Sequence, residues 1–370
     1  MWPNTRITKM LKIKYPIIQA PMAGGITSPE LVAAVSNAGG LGSLGAGYMR
    51  AEEIRLAILR IRALTKKPFA VNLFVPTKSR ATQKQMDNMV KILKTTCKSV
   101  CSDIHPVTSP YCPTFDSQMT VLIEEKIPVF SFTFGVPEIK WLKKLRHNKT
   151  KIIGTATSVA EAEMLEIFGI DCMVAQGFEA GDHRGTFIGE CDDSLIGNFA
   201  LIPQIVDNVK MPVIASGGIM DARGIVAAMM LGAEAVQMGT AFISCSESGA
   251  HPDYKKMLLK SKEDNTVLTR SFSGKLARGI KNKFIQSMVP YQDCIMDYPI
   301  QHVLTQQIRK EAYKKGQVDY MSLWAGQAAY LSSGVSANEL IQSLDGDVKN
   351  IFHKGKALLM CQKNNIRTKS

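Results

Sequence analysis

Long apolar runs are scarce in this chain. The uncharged stretch at residues 31–49 is interrupted by seven glycines and serines, which is typical of a buried strand with its loops and not of a membrane span. The N-terminal sequence MWPNTRITKMLKIKYP lacks the continuous apolar region of a secretory signal. We therefore expect a cytoplasmic protein that spans no membrane.

Cysteine patterns that would indicate disulfides or zinc are also lacking. The eight cysteines are scattered through 370 residues, so we expect reduced thiols. The densest group is Cys97, Cys101, His105 and Cys112, and its spacing matches no usual zinc pattern. Free thiols are the favoured interpretation, and we predict no metal.

Basic residues outnumber acidic ones and give a formal net charge of +13, but they are dispersed. Few aromatic residues lie among them, whereas a nucleic-acid binder would be expected to concentrate its cations in one module. A solvated basic surface is the favoured interpretation, and we predict no nucleic-acid partner. The same positive field would favour an anionic substrate or cofactor.

Eight short apolar runs alternate with amphipathic segments. The runs are PIIQAP (16–21), LGSLG (41–45), FAVNLF (69–74), PVFSFT (128–133), KIIGTA (151–156), CMVAQG (172–177), PVIASGG (212–218) and AVQMGT (235–240). They lack strict polar alternation, as strands buried on both faces do. The first helical segment has Ser28 as N-cap, Pro29 at the first helical position and Gly39 at its end.

Eight strand–helix units in about 240 residues match the size of a (β/α)8 barrel. We predict this α/β fold for residues 1–250, and a doubly wound open sheet is the alternative. Residues 77–126 form an insertion after the third strand. Residues 251–317 follow the eighth strand as a mostly helical region on the substrate side, and residues 318–345 pack back on the barrel.

Chemistry in such a barrel lies where the strands end. The sixth strand runs into AQGFEAGDHRGTF (175–187), which carries the one histidine of the chain at a predicted strand end. His183 is therefore the candidate catalytic residue. Asn72, near the end of the third strand, is either a ligand contact or a structural amide. Met22 stands in APMAGG (20–25), where small residues let a flat ligand approach the backbone.

Glycine-rich turns follow the last two strands, SGG (216–218) and QMGT (237–240). Barrels bind phosphate at these two places, and the amides of Gly217, Gly218, Gly239 and Thr240 are the candidate donors. A flat cofactor that carries a phosphate fits this pattern, and FMN is such a cofactor. The segment GGLGSLGAG (39–47) lacks the spacing of a dinucleotide-binding fingerprint.

A set of motifs in this order resembles the nitronate monooxygenase family, formerly called 2-nitropropane dioxygenase. The motifs are QAPMAGGITSPELVAAVSNAGGLGSLGAGYM, FAVNLF, QGFEAGDHRGTF, PVIASGGIMD, AVQMGTAF and WAGQAA. The resemblance implies an FMN-dependent barrel that uses O2 to oxidise alkyl nitronates, such as propionate 3-nitronate, to a carbonyl compound and nitrite or nitrate. It implies His183 as the active-site histidine. It also implies FMN contacts at Met22, Asn72, Gln176, Gly181, Gly218, Gln237, Met238, Gly239 and Thr240. We expect a monomer or a homodimer.

One residue departs from the family pattern, which usually reads E-A-G-G-H-x-G. Asp182 stands at the second glycine of that pattern. If the position has a positive φ, aspartate is among the less costly replacements. Its carboxylate would also favour the charged imidazole of His183.

Three other functions are compatible with parts of this sequence. An FMN-type enoyl-acyl-carrier-protein reductase shares the barrel and a similar histidine loop, but would use NAD(P)H. A barrel like IMP dehydrogenase would need a cysteine nucleophile in the loop after the sixth strand, and Cys191 lies several residues beyond His183. A basic protein that binds nucleic acid or membrane would not need the strand-end motifs.

Overall fold

Parallel strands form the centre of the fold. The computed structural model describes residues 2–77, 79–101 and 103–367, and side chains as far as residue 354. The strands are β1 (Ile17–Gln19), β2 (Gly42–Gly45), β3 (Phe69–Phe74), β4 (Val129–Thr133), β5 (Lys151–Ala156), β6 (Cys172–Gln176), β7 (Asp182–His183), β8 (Val213–Ser216), β9 (Ala235–Met238), β10 (Thr266–Thr269) and β11 (Ala277–Ile280). Eight of them form one parallel sheet in the order β1-β9-β8-β6-β5-β4-β3-β2. The eight predicted strands are thereby confirmed to within a few residues at each end.

The two ends of this sheet meet, so the sheet is a barrel and not the open alternative. Ile18 and Leu41 form a parallel bridge between the first and last strands of the order. The Gln19 carboxamide, which is fully buried, extends this contact. It donates to the Ser43 carbonyl at 3.1 Å and accepts from the Ser43 amide at 3.0 Å. A side chain therefore supplies hydrogen bonds where the two strands are joined by only a single bridge.

The helices pack around the barrel. They are α1 (Arg6–Leu11), α2 (Pro29–Asn37), α3 (Ala51–Leu64), α4 (Gln83–Thr96), α5 (Phe115–Glu124), α6 (Ile139–His147), α7 (Val159–Ile167), α8 (Asn198–Asn208), α9 (Ala222–Met230), α10 (Thr240–Ile243), α11 (Pro252–Leu259), α12 (Lys283–Met288), α13 (Ile300–Leu304), α14 (Gln306–Lys314) and α15 (Ala337–Arg367). Short 3-10 helices lie at Asp192–Ser194, Val289–Cys294, Val318–Tyr320 and Ala329–Leu331. Helix α15 packs against α2 and α9, so the eighth position of the ring is filled from the C-terminal part of the chain. No helix in the described ranges is long and apolar enough to cross a membrane.

Capping residues determine where several of these helices begin and end. The Ser28 hydroxyl accepts the Leu31 amide at 3.0 Å, as an N-cap does. Gly39 follows the same helix with φ +102°, a conformation that glycine adopts without steric cost. The predicted first helix is therefore confirmed at both ends.

Apolar side chains fill the interior of the barrel. Ile7 and Leu11 of α1 enter it from the N-terminal ends of the strands and pack against Val129, Ile153 and Ile214. These side chains are almost completely excluded from water. The helix therefore closes one end of the barrel, and the opposite end, where the strands finish, is left for a ligand.

The two regions beyond a minimal barrel pack together. In residues 77–126, α4 contacts α12 and the 3-10 helix Val289–Cys294, whereas α5 contacts α3 and β3 in the ring of helices. Residues 251–317 contain helices α11 to α14, as predicted, and also the strands β10 and β11. Those two strands pair antiparallel with each other, and β11 pairs with β7. The loop that carries His183 is therefore the edge strand of a small second sheet.

Candidate active site

A cleft opens where the barrel strands end. The empty space between its walls is about 1040 Å³, which includes solvent at the open mouth. Ten of the predicted site residues line it: Met22, Asn72, Gln176, Gly181, His183, Gly217, Gly218, Gln237, Gly239 and Thr240. The structure therefore brings together residues that the sequence spreads over five strand ends.

Met238 is the exception among the predicted site residues. Its side chain is 1% exposed and packs in the apolar core. Successive side chains of a strand point to opposite faces, and Gln237 already points into the cleft. The Met238 side chain therefore lies in the core, and the FMN contact expected at this position stays a prediction.

The two glycine-rich turns form one side of the cleft. Gly217 and Gly218 have φ of +117° and +69°, and a Cβ added at Gly217 would lie 3.0 Å from the Ala180 amide nitrogen. In the described part of the chain, the amides of Gly217, Gly218 and Gly239 donate to no other protein group. Free amides on a tightly curved backbone suit the oxygens of a phosphate group.

Asn72 lines the cleft and is 2% exposed. Its amide donates to the Ser131 hydroxyl at 3.0 Å, across the β3–β4 pair. The bond to a neighbouring side chain, and not to backbone, holds the carboxamide in place at the cleft wall. Ser131, Thr133 and Thr155 line the same wall with further polar groups.

Gln176 braces the loop that carries His183. Its amide donates to the His183 carbonyl at 3.0 Å, and its carbonyl oxygen accepts the Gly185 amide at 2.7 Å. Both polar ends of this side chain are thus bonded to the loop. The main function that the geometry supports for Gln176 is to position His183.

Asp182 adopts a positive φ of 65° directly before the histidine. Its carboxylate lies 2.6 Å from His183 Nδ1 and accepts the His183 amide at 2.9 Å. The position of the family's second glycine therefore has the positive φ under which aspartate is a tolerated replacement. Asparagine and aspartate are the residues that tolerate this conformation best after glycine.

The His183 ring is 7% exposed and is held at both nitrogens. Nε2 lies 2.8 Å from the Ser273 hydroxyl, which itself donates to the Lys275 carbonyl at 3.1 Å. The Lys275 amide also donates to this hydroxyl at 3.3 Å, so Ser273 is fixed by its own turn. The carboxylate at Nδ1 is an acceptor, whereas the hydroxyl at Nε2 has both a proton to donate and lone pairs to accept with.

Aromatic rings surround His183. The Trp324 centroid lies 5.4 Å from that of the imidazole, Phe134 lies 5.9 Å away and Tyr298 lies 6.2 Å away. Phe134 has a φ of 77°, which is unusual for a bulky residue and is typical of strained positions in ligand sites. Low-dielectric walls of this kind strengthen electrostatic interactions inside the cleft.

Two cations lie behind the cleft wall. Arg184 is 5% exposed and donates to the carbonyls of Gln176, Thr157 and Ser194. Burial lowers its pKa to about 10, so it remains charged at neutral pH. Lys275 donates to the Thr186 carbonyl at 3.1 Å, and burial lowers the pKa of this amine as well. Both side chains are bonded to backbone and hold the loop.

Several lining or supporting residues were absent from the sequence prediction. Ser131 and Phe134 could have been found by reading the end of the fourth strand as closely as the others. Ser273, Tyr298 and Trp324 come from the region after the eighth strand, and nothing in their local sequence shows that they reach His183. No group of three or more potential metal ligands lies together within the residues that the structure describes.

The fold and the cleft define a class: a (β/α)8 barrel with a small-molecule site at the carboxyl ends of its strands. A sequence model of the nitronate monooxygenase family matches residues 4–347. This chain belongs to that family, which is a family of oxidoreductases.

Several known proteins are similar to this chain over most of its length. A probable nitronate monooxygenase of Staphylococcus saprophyticus is 46% identical over 353 residues, covering 95% of this chain and 99% of that protein. One from Staphylococcus aureus (strain MSSA476) is 45% identical with the same coverage. The structure of nitroalkane oxidase from Streptomyces ansochromogenes has a TM-score of 0.86 and 37% identity, and covers 93% of this chain and 98% of its own. FabK from Thermotoga maritima has a TM-score of 0.76 and 33% identity, with 96% and 100% covered.

Proposed function

We propose that this protein oxidises alkyl nitronates with O2 in a cleft that binds FMN, and yields a carbonyl compound with nitrite or nitrate. The observation that carries the proposal is the pairing, in one cleft, of glycine amides without a protein acceptor among the described residues and a histidine that is hydrogen-bonded at both nitrogens. Its partners are then a small nitronate and O2.

The lining residues fit FMN. The free amides of Gly217, Gly218 and Gly239 suit its phosphate, and the Asn72 and Gln237 side chains suit polar atoms of a flat ring. When bound, FMN supplies the electron-transfer chemistry, and the protein supplies binding and orientation.

His183 is proposed to attract the anionic substrate. The imidazole is held by Asp182 and Ser273 at the wall of the cleft, and a nitronate is an anion. The fixed ring geometry supports binding of the anion more than proton abstraction, since both nitrogens are already bonded to protein groups. Gln176 holds the loop in place through its hydrogen bond to the His183 carbonyl.

The experiment that tests the activity begins with the absorption spectrum of the purified protein. We expect a flavin spectrum, rapid anaerobic bleaching by ethyl nitronate, and aerobic release of nitrite or nitrate with acetaldehyde. The FMN-type enoyl-acyl-carrier-protein reductase is the alternative, and similarity to FabK is the observation in its favour. Fast bleaching by NAD(P)H without nitronate oxidation would support the reductase and overturn our proposal.

The His183→Asn variant tests the site. We expect it to keep bound FMN, because the glycine cradle is untouched, and to lose most of its nitronate turnover. A loss of about 100-fold or more is the expected size for a positioned catalytic histidine. Full turnover in this variant would remove His183 from the mechanism.

A further inference from the structure

One asparagine side chain holds the glycine turn (216–218) that follows β8. Asn198 is the first residue of α8 and is 8% exposed. Its Nδ2 atom donates to the Ser216 carbonyl at 3.0 Å and to the Gly217 carbonyl at 2.6 Å. Since both neighbours are carbonyl oxygens, the amino end of the carboxamide faces them and the assignment of its two ends is fixed. A single side chain therefore holds two successive carbonyls of the turn.

These two carbonyls belong to the peptide groups that carry the Gly217 and Gly218 amides. The Ser216 carbonyl shares a peptide group with the Gly217 amide, and the Gly217 carbonyl shares one with the Gly218 amide. Both peptide bonds are trans, so the C=O and N–H of each lie in one plane and point in opposite directions. Holding the two carbonyls towards Asn198 therefore directs both N–H groups away from it, on a turn that lines the cleft.

The glycines of the turn make such a restraint necessary. Gly217 and Gly218 have φ of +117° and +69°, and glycine populates both signs of φ, so the turn sequence alone does not fix which way its peptide groups face. The approach of the carboxamide is close, since a Cβ built on Gly217 would lie 3.1 Å from Asn198 Nδ2. Glycine at this position thus lets the side chain reach the backbone that it orients.

Asn198 is itself fixed by the loop that follows β6. Its backbone amide donates to Glu179 Oε1 at 2.8 Å. From the same loop, the Gly177 amide donates to the Ser216 carbonyl at 2.8 Å, so this carbonyl is held from two sides. The loop that carries His183 and the glycine turn are therefore joined through Asn198 and Gly177.

Resting on the proposed function, we infer that Asn198 is a positioning residue for the phosphate group of FMN. It acts through the Gly217 and Gly218 amides, which it aims without contacting the cofactor. Hydrogen bonds from N–H groups to a charged oxygen are strong, but they weaken steeply when the donor is misaligned. Loss of the carboxamide should therefore weaken the binding of FMN more than that of riboflavin, which has the same ring system and no phosphate.

Competition between FMN and riboflavin measures the contribution of the phosphate in the full-length protein. Holoenzyme is equilibrated with mixtures of the two flavins, separated from unbound flavin by rapid gel filtration, and its bound flavins are quantified by chromatography. We expect the wild-type protein to prefer FMN by at least about 100-fold, because two hydrogen bonds to a charged group contribute that much. Equal binding of the two flavins would overturn the inference and leave a flavin-dependent function intact. A protein that binds neither flavin would overturn the proposed function, and the inference with it.

The Asn198→Leu variant removes both carbonyl bonds without adding a charge. Its preference for FMN over riboflavin should fall at least about 10-fold, the effect of losing one hydrogen bond to a charged group. A general loss of stability weakens the binding of both flavins and leaves their ratio unchanged. A wild-type ratio in Asn198→Leu, whatever its Tm, would therefore refute the positioning role.

Asn282→Leu is the matched control. Asn282 also stands at the start of a helix, is 7% exposed, and donates through Nδ2 to the carbonyls of Val318 and Met321 at 3.3 and 2.9 Å. This variant should have a lower Tm, while its flavin ratio stays within about 2-fold of wild type because the site is distant from the glycine turn. A fall in its ratio as large as that of Asn198→Leu would count against a specific role for Asn198.

Asn198→Asp supplies the measurement should the leucine variant fail to fold. Aspartate has the size and shape of asparagine, but its carboxylate has no proton to donate to the Ser216 and Gly217 carbonyls. The preference for FMN should fall at least as far as in Asn198→Leu. A ratio equal to that of the wild type would contradict the inference.

Discussion

Replacing Gln176 by leucine tests whether this side chain positions His183, because the substitution leaves the histidine itself unchanged. The change removes the donor to the His183 carbonyl and the acceptor for the Gly185 amide while keeping a similar volume. Each buried group left without a partner costs about 1–3 kcal/mol. Two groups lose their partner here, which would cost about 2–6 kcal/mol in all if both were fully buried. Gln176 is only partly buried, so water can bond to these groups in place of its side chain, and we expect a loss of about 2–3 kcal/mol in the free energy of unfolding. For a chain of this length that loss lowers Tm by about 3–4 °C.

The matched control is Gln118→Leu, in helix α5. Gln118 is 3% exposed and its amide donates to the Met49 carbonyl at 2.7 Å and the Ala46 carbonyl at 3.3 Å, away from the cleft. Both variants should unfold earlier in a thermal melt with excess FMN. Nitronate turnover should fall about 10- to 100-fold in Gln176→Leu, because a shift of about 1 Å at a catalytic group has that effect, and stay within about 2-fold in Gln118→Leu. Wild-type turnover in Gln176→Leu, despite its lower Tm, would refute the positioning role.

Two further predictions concern backbone strain and alkaline stability. Asp182→Gly should stay within about 1 kcal/mol of wild type, since relief of the positive φ offsets the lost carboxylate contacts, whereas Asp182→Val should be less stable by about 2 kcal/mol. Denaturant titrations of both variants check this, and a valine variant as stable as wild type would contradict it. Burial raises the pKa of Cys97 from 9.0 to about 11, so its contribution to stability is present below pH 9 and is lost as pH rises towards 11. Cys97→Ala should remove a slope of about 1.4 kcal/mol per pH unit over that window, measured by urea unfolding, and an identical pH dependence in the two proteins would disprove the assignment.

The barrel could be predicted because its determinants are local. Eight apolar runs bounded by glycine, proline and capping residues such as Ser28 specify strands and helices from short-range sequence alone. Parallel strands connected by helices close into a barrel when eight such units follow one another. The structure confirms each of the eight runs and the helix that follows the first.

The second sheet could not be predicted in the same way. Strands β10 and β11 have four residues each; β10 pairs with β11, and β11 pairs with β7, about 94 residues earlier in the chain. Whether such short segments become strands depends on the partner that tertiary folding brings to them. The same reason explains why Ser273, Tyr298 and Trp324 were not recognised as neighbours of His183.

The sequence by itself determined the barrel, the strand ends that carry polar residues and glycines, and the family to which the chain belongs, because these depend on local patterns and on ordered motifs. Only the tertiary structure decided which side chains meet. It directs Gln237 into the cleft and Met238 into the core by strand alternation, and it commits the Gln176 carboxamide to the His183 loop. It also places Ser273 and Asp182 on the two nitrogens of His183 and the Phe134 ring in front of Lys275. These contacts arise between residues far apart in the chain, and their geometry is set by packing and hydrogen-bond satisfaction that no local pattern encodes.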